Sequence, residues 1–125
     1  MGLKYLIDTN SVGLLLQKKD LPFQKKLKKE TRFYISVITI VEYLSNTKLS
    51  LYDKYDFETF VERTIVIDVL HKEELLLQKI ISIRKKYNLK TPDAIIAAQA
   101  IINNLILITN DEGFTKIFGL QVEQL

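Results

Sequence analysis

The chain is predicted to fold as α/β, on a central, mainly parallel sheet with helices on both faces. Three observations lead there. Short apolar strands alternate with segments of helical periodicity along the sequence, and strands separated by helices pair in parallel because the helix supplies the crossover. One of these helices carries Ala94, Ala97, Ala98 and Ala100, small residues that let it lie close against a sheet. Gly/Pro punctuation is sparse, with four glycines and two prolines, so no linker, repeat or low-complexity segment divides the chain.

The elements follow in order. Residues 4–7 read as a strand, and residues 12–17 as a helix with Leu14, Leu15 and Leu16 turned inward. Pro22 stands near the start of a second helix, residues 21–31, where proline is tolerated. Phe33-Tyr34-Ile35-Ser36 is a strand of aromatic and branched residues. In residues 37–46, Val37, Ile40, Val41 and Leu44 repeat at helical spacing, which predicts an inward apolar face with Glu42 beside it. Residues 49–63, with Tyr52, Tyr55, Phe57 and Phe60, suggest loosely packed helical pieces. Ile65-Val66-Ile67 is a third strand. Residues 71–87 form a long helix with Leu76, Ile80, Ile83 and Tyr87 on one face. After a loop at 88–90, Thr91 is expected to cap the next helix, to about residue 103, with Pro92 in its first position. Residues 105–108 are a fourth strand, 113–118 a short helix, and Val122 opens a small edge strand. Connections are expected to be right-handed.

A chain of 125 residues, 47% hydrophobic and 26% charged, fits a single domain (1–125) with a real core. It has no cysteine, which excludes disulfides and thiolate metal sites and makes the cytoplasm the expected compartment. Met1-Gly2-Leu3-Lys4 leads into the first strand without a signal-peptide pattern, and no apolar stretch reaches a membrane span. Net charge is only +3, but Lys18, Lys19, Lys25, Lys26, Lys28, Lys29 and Arg32 cluster against Asp20 and Glu30. This is either a solvated helix face or a surface that draws phosphate backbones.

Four acids carry the chemistry: Asp8, Glu42, Asp93 and Asp111. Singly, each has an ordinary use as a helix cap, a first-turn acid, a turn residue or a surface glutamate. Together they form a pattern. Asp8 and Asp111 follow apolar strands, Glu42 lies early in the helix after the second strand, and Asp93 opens the helix before the fourth. Ligands of open parallel sheets bind outside the carboxyl ends of the strands, so all four acids can meet there. Clustered carboxylates repel and raise one another's pKa, and hard cations such as Mg²⁺ or Mn²⁺ relieve that repulsion. The one histidine, His71, reads as solvent-facing, and triad chemistry has no support. A metal that makes water a nucleophile fits phosphodiester hydrolysis.

The chain resembles the PIN domain, and more narrowly the VapC-type ribonuclease toxins of toxin–antitoxin pairs. The resemblance rests on Leu6-Ile7-Asp8-Thr9-Asn10, on Ser36-Val37-Ile38-Thr39-Ile40-Val41-Glu42-Tyr43-Leu44, on Thr91-Pro92-Asp93-Ala94-Ile95-Ile96-Ala97-Ala98 and on Ile108-Thr109-Asn110-Asp111. It covers essentially the full chain. It implies a three-layer α/β/α PIN-like fold and an endoribonuclease dependent on Mg²⁺ or Mn²⁺ that leaves a 5′-phosphate and a 3′-hydroxyl. By the same resemblance Asp8, Glu42, Asp93 and Asp111 are the catalytic, metal-binding quartet, with Asp8 and Asp93 the most direct ligands. Thr9, Asn10 and Thr109 support them by hydrogen bonding. Lys18, Lys19 and Lys25 are candidates for guiding RNA, and the implied partners are RNA, a cognate antitoxin protein and a second copy of the chain. In one departure, Gly113 precedes Phe114 where an acid often stands, and Glu112 is placed to share the role of Asp111. The rivals are a catalytically silent PIN-like module that binds protein or RNA, and a phosphoreceiver-type domain. The second is disfavoured by Thr9-Asn10 after Asp8 and by the lack of a lysine after the last strand.

Overall fold

Strand β1 (Lys4–Ile7) runs through the middle of a five-stranded sheet whose order is β3-β2-β1-β4-β5, with β2 (Arg32–Ser36), β3 (Ile65–Ile67), β4 (Ile106–Ile108) and β5 (Val122–Glu123). The structure is a computed structural model and describes residues 2–17 and 30–125. All four pairings are parallel. Ile7 stands opposite Ile35 on one side and Ile108 on the other. The strand order reverses between β1 and β4, and that is where a parallel sheet opens a crevice at its carboxyl edge.

The pleat sorts the core into two layers. Tyr5 and Ile7, with Ile35 and Ile108, face α1 (Thr9–Gln17), α2 (Val37–Leu44) and α3 (Leu51–Glu62), where Val12 and Phe57 are fully buried. Leu6 and Leu107 point the other way, onto α4 (Glu74–Tyr87) and α5 (Thr91–Ile102). There Leu76, Ile80 and Ile83 meet Ala94, Ala97, Ala98 and Ala100. The arrangement is the three-layer α/β/α sandwich expected. Among the described residues no helix is long and apolar enough to cross a membrane.

Local chemistry explains where the helices start and where the expectations need correction. The first helix begins at Thr9, not residue 12, because Asp8 caps it by accepting the Ser11 N–H at 2.8 Å. Ser36 caps α2 by accepting the Ile38 N–H. The inward face of α2 is not the one the apolar spacing suggested. Thr39 is buried and Ile40 and Tyr43 pack on the core, whereas Val41 and Leu44 are 58% and 38% exposed. The loosely packed pieces expected around residues 49–63 are one helix, α3, started by a capping box in which Ser50 and Asp53 bond each other's backbone N–H. Helix α4 starts at Glu74 rather than 71, and exposed His71 lies in the turn before it. It ends on Asn88 in the left-handed region at φ 54°. Lys90, not Thr91, occupies the cap position of α5 and makes no side-chain cap bond, so Pro92 sits in the second helical position. The expected 113–118 helix is a single 3₁₀ turn, Glu112–Phe114. The helix expected over 21–31 lies almost wholly outside the described residues.

Candidate metal centre

The parallel register delivers two of the four acids to one point. β1 and β4 end side by side, the Asp8 N–H donates to the Ile108 carbonyl at 3.1 Å, and Asp111 lies three residues past the end of β4. Thr109 ties the two strand ends together. Its hydroxyl donates to Asp8 Oδ2, and its oxygen accepts the Asp111 N–H at 3.0 Å. Asp8 is thus 5% exposed with a donor on each carboxylate oxygen, Ser11 N–H on Oδ1 and the Thr109 hydroxyl on Oδ2. An ionised carboxylate has about four acceptor positions, so each oxygen keeps a free lone pair.

Glu42 is brought in from α2 by the residue after Asp8. The Thr9 hydroxyl donates to Glu42 Oε1 at 2.7 Å and lies 3.2 Å from the Thr39 hydroxyl. A hydroxyl has one proton. With that of Thr9 directed to Glu42, Thr39 supplies the proton in the Thr39–Thr9 bond. Thr39 is the supporting residue that the sequence reading passed over. Its signal was a lone polar side chain in an apolar run, three residues before Glu42 and so on the same side of the helix.

Asp93 enters from the first turn of α5. Its carboxyl is held above the ordinary aspartate value of 3.8, first by burial and then by the charges of Asp111, Glu42 and Asp8, while Lys90 opposes the shift. Asp93 therefore lies within electrostatic reach of the other three acids. Asp111 also accepts the Gly113 N–H on Oδ1 at 2.9 Å. At position 113 a Cβ would stand 3.1 Å from that oxygen, a tight approach that the glycine avoids. Glu112 is exposed, and the charge that Asp93 feels from this segment is that of Asp111.

The donors are hard oxygens in a field that disfavours uncompensated negative charge, which suits Mg²⁺ or Mn²⁺. Among the described residues no three acids or histidines are drawn into a ready-made ligand set. Asp8, Glu42 and Asp111 are each held by a hydrogen-bond donor of their own. Asn10 is exposed on α1 and its side chain makes no hydrogen bond among the described residues. Lys18, Lys19 and Lys25 lie outside the described residues. Arg32, which ends the basic run, pairs with Lys4 at the amino edge of the sheet, away from the acids. Among the described residues, the cations near the site are Lys90 and, lining a groove together with Glu42, Lys48.

Comparison with known proteins identifies the family and the fold. The PIN domain family model matches residues 5–119. DNA-bound VapBC from Salmonella typhimurium is 26% identical with a TM-score of 0.76, over 98% of this chain and 98% of that one. A toxin–antitoxin complex from Klebsiella pneumoniae is 26% identical with a TM-score of 0.73, over 93% of this chain and 94% of that one. VapBC2 from Rickettsia felis, bound to a DNA fragment from its promoter, shares the fold with a TM-score of 0.82 at 23% identity, over 98% and 99% of the two chains. No curated protein matches at a significant level. With the family model running from β1 past the 3₁₀ turn and the same fold shared along whole solved chains, this chain belongs to the PIN domain family.

Proposed function

We propose that this protein is a divalent-metal-dependent endoribonuclease, the toxin of a toxin–antitoxin pair, working as a single cytoplasmic domain. One observation supports the reading above the others: Asp8, at the end of β1, and Asp111, just past β4, are joined through Thr109 at the sheet's switch point, and Asp93 is close enough to feel the charges of Asp111, Glu42 and Asp8. The likeness to VapBC and toxin–antitoxin complexes supports the toxin role and an antitoxin partner. Assembly as a homodimer is part of the proposal.

Asp8, Glu42, Asp93 and Asp111 would hold Mg²⁺ or Mn²⁺. Such a cation supplies an acidified water and offsets negative charge on phosphate. The remaining work falls to the chain itself. Ser11 N–H and Thr109 fix the two oxygens of Asp8. The Thr39–Thr9 pair aims Glu42, and Gly113 N–H aims Asp111. Lys90 and Lys48 offset the acids' repulsion of an incoming phosphodiester.

The test is cleavage of transfer, ribosomal and messenger RNA by the purified protein with Mn²⁺. Wild type is expected to cut at least one class, and Asp8→Asn to fall to the background of the buffer control. Cleavage of none, or equal cleavage by both, refutes the reading. RNA binding without cutting, unchanged by chelator, would identify the silent module.

A further inference from the structure

The acid cluster opens sideways into a groove of about 470 Å³ that the chemistry above does not use. We propose that this groove is a base-reading subsite, holding the unpaired nucleobase next to the phosphate that lies over the acids. The proposal rests on the nuclease reading and adds where substrate choice is made.

One wall is a single face of α1. Asn10, Gly13 and Gln17 stand at i, i+3 and i+7. The opposite wall carries Glu42, Tyr43 and Asn46. Tyr43 lies flat on buried Phe57, ring centroids 4.1 Å apart, so that wall is rigid. Thr9 and Glu42 line both the groove and the acid cluster, which makes the two spaces continuous. Among the described residues, the side chains of Asn10 and Gln17 make no hydrogen bond. Among the same residues Asn46 accepts the Lys48 N–H on its carbonyl oxygen at 3.0 Å, and its amide N–H groups make no bond and can donate. Carboxamides present a donor beside an acceptor, the pattern that pairs with the edge of a base.

Charge decides between a base and a phosphate. Among the described residues, Glu42 and Asp53 line the groove against one cation, Lys48. A phosphate deep in it would be repelled, whereas a neutral base tethered through its sugar to a phosphate at the acids would not. The volume lies within the range of small-ligand pockets. Gly13 fits this role and lacks a structural one. It interrupts a helix, where glycine is unfavourable, yet among the described residues a Cβ there would meet nothing within 4 Å. The missing side chain leaves the groove open.

The experiment measures cleavage, with Mn²⁺, of single-stranded RNA oligonucleotides randomised around the cut, by wild type, Gly13→Leu and Gln17→Ala. In parallel, binding of a non-cleavable oligonucleotide and of a basic peptide is followed by fluorescence anisotropy in chelator. Both variants should cut, with preference for the base at one position beside the cut reduced about fivefold or more, the lower end of what one side-chain–base pair contributes. Gly13→Leu should melt no lower than wild type. Unchanged preference in both variants overturns the proposal, and so does loss of binding to a basic peptide alone, which would make the groove a protein-docking site. If wild type cuts nothing but base-dependent binding weakens in the variants, the subsite stands and the nuclease reading falls. Gln17 is exposed at the end of α1, so its variant keeps the test open should Gly13→Leu misfold.

Discussion

Asp8 joins folding to chemistry in one side chain. It starts α1 through the Ser11 N–H, and it fastens β4 to β1 through Thr109. Thr109→Val keeps the shape and removes a hydrogen bond to a buried carboxylate, which should destabilise the fold by roughly 1.5–3 kcal/mol. It should also lower any Mn²⁺-dependent cleavage roughly 10–100-fold, as loss of a supporting contact to a metal ligand does. Urea unfolding and RNA cleavage measure the two, and a stability change near zero would deny Thr109 this role. Asp93 behaves in the opposite sense. Its folded pKa is raised, so the folded state holds the proton more tightly than the unfolded chain does. The favourable contribution is complete below the ordinary value of 3.8 and disappears as pH rises through the folded value. At pH 7 in chelator, Asp93→Asn should therefore melt at or above wild type, even though the helix loses a first-turn acid. That advantage should shrink as pH falls toward the ordinary aspartate range. Thermal melts of the two proteins across pH measure it, and an advantage that grew on acidification would refute the assignment. For Asp8, whose two oxygens both accept bonds, Asn is expected to destabilise instead, because it turns an N–H₂ toward one of those donors.

At the scale of elements, α3 is where sequence and structure part most. Its apolar residues form no clean stripe: Phe57 is fully buried while Leu51, Tyr52 and Tyr55 are exposed. What makes it one helix is its start, the reciprocal Ser50–Asp53 box. Ser50→Ala should therefore lower stability by about 1 kcal/mol, read by urea unfolding, and an unchanged midpoint would mean that packing of Phe57 alone holds the helix. The strands were legible because each is a short apolar run, and the parallel sheet because helices separate them. Helix α5 was legible from its alanines, which meet α4 and the sheet as expected. The face of α2 was not, because Val41 and Leu44 obey helical spacing yet stay exposed, while polar Thr39 turns inward to bond Thr9. Hydrophobic periodicity describes what a helix could bury; which face it does bury depends on a polar network formed with a residue 30 positions away. The same holds for Thr91, a good cap residue by type that lies one position inside the helix. Asp8, Asp93 and Asp111 stood out because each follows a strand or opens a helix, whereas Glu42 lies inside α2. The bonds that aim them come from tertiary pairing and are not written locally.

On the scale of the whole molecule, the strand order explains why acids spread along the chain act together. β1 and β4 are neighbours at the point where the order reverses, while α2 and α5 approach that edge from opposite faces of the sheet. Bringing these charges together opposes folding, and a divalent cation that binds only the folded arrangement offsets it. In excess Mn²⁺ the wild type should gain RT ln(1 + [Mn²⁺]/Kd), about 1.4 kcal/mol at ten times Kd. Asp8→Asn and Asp93→Asn each remove one charged oxygen donor and weaken binding, so at the same Mn²⁺ concentration each should gain less. The comparison is made by urea unfolding with and without chelator at fixed ionic strength, which keeps general screening of surface charge out of the difference. A gain equal in all three proteins would place the cation away from these carboxylates, and the shared field at the switch point would then be a feature of the fold rather than the seat of its chemistry.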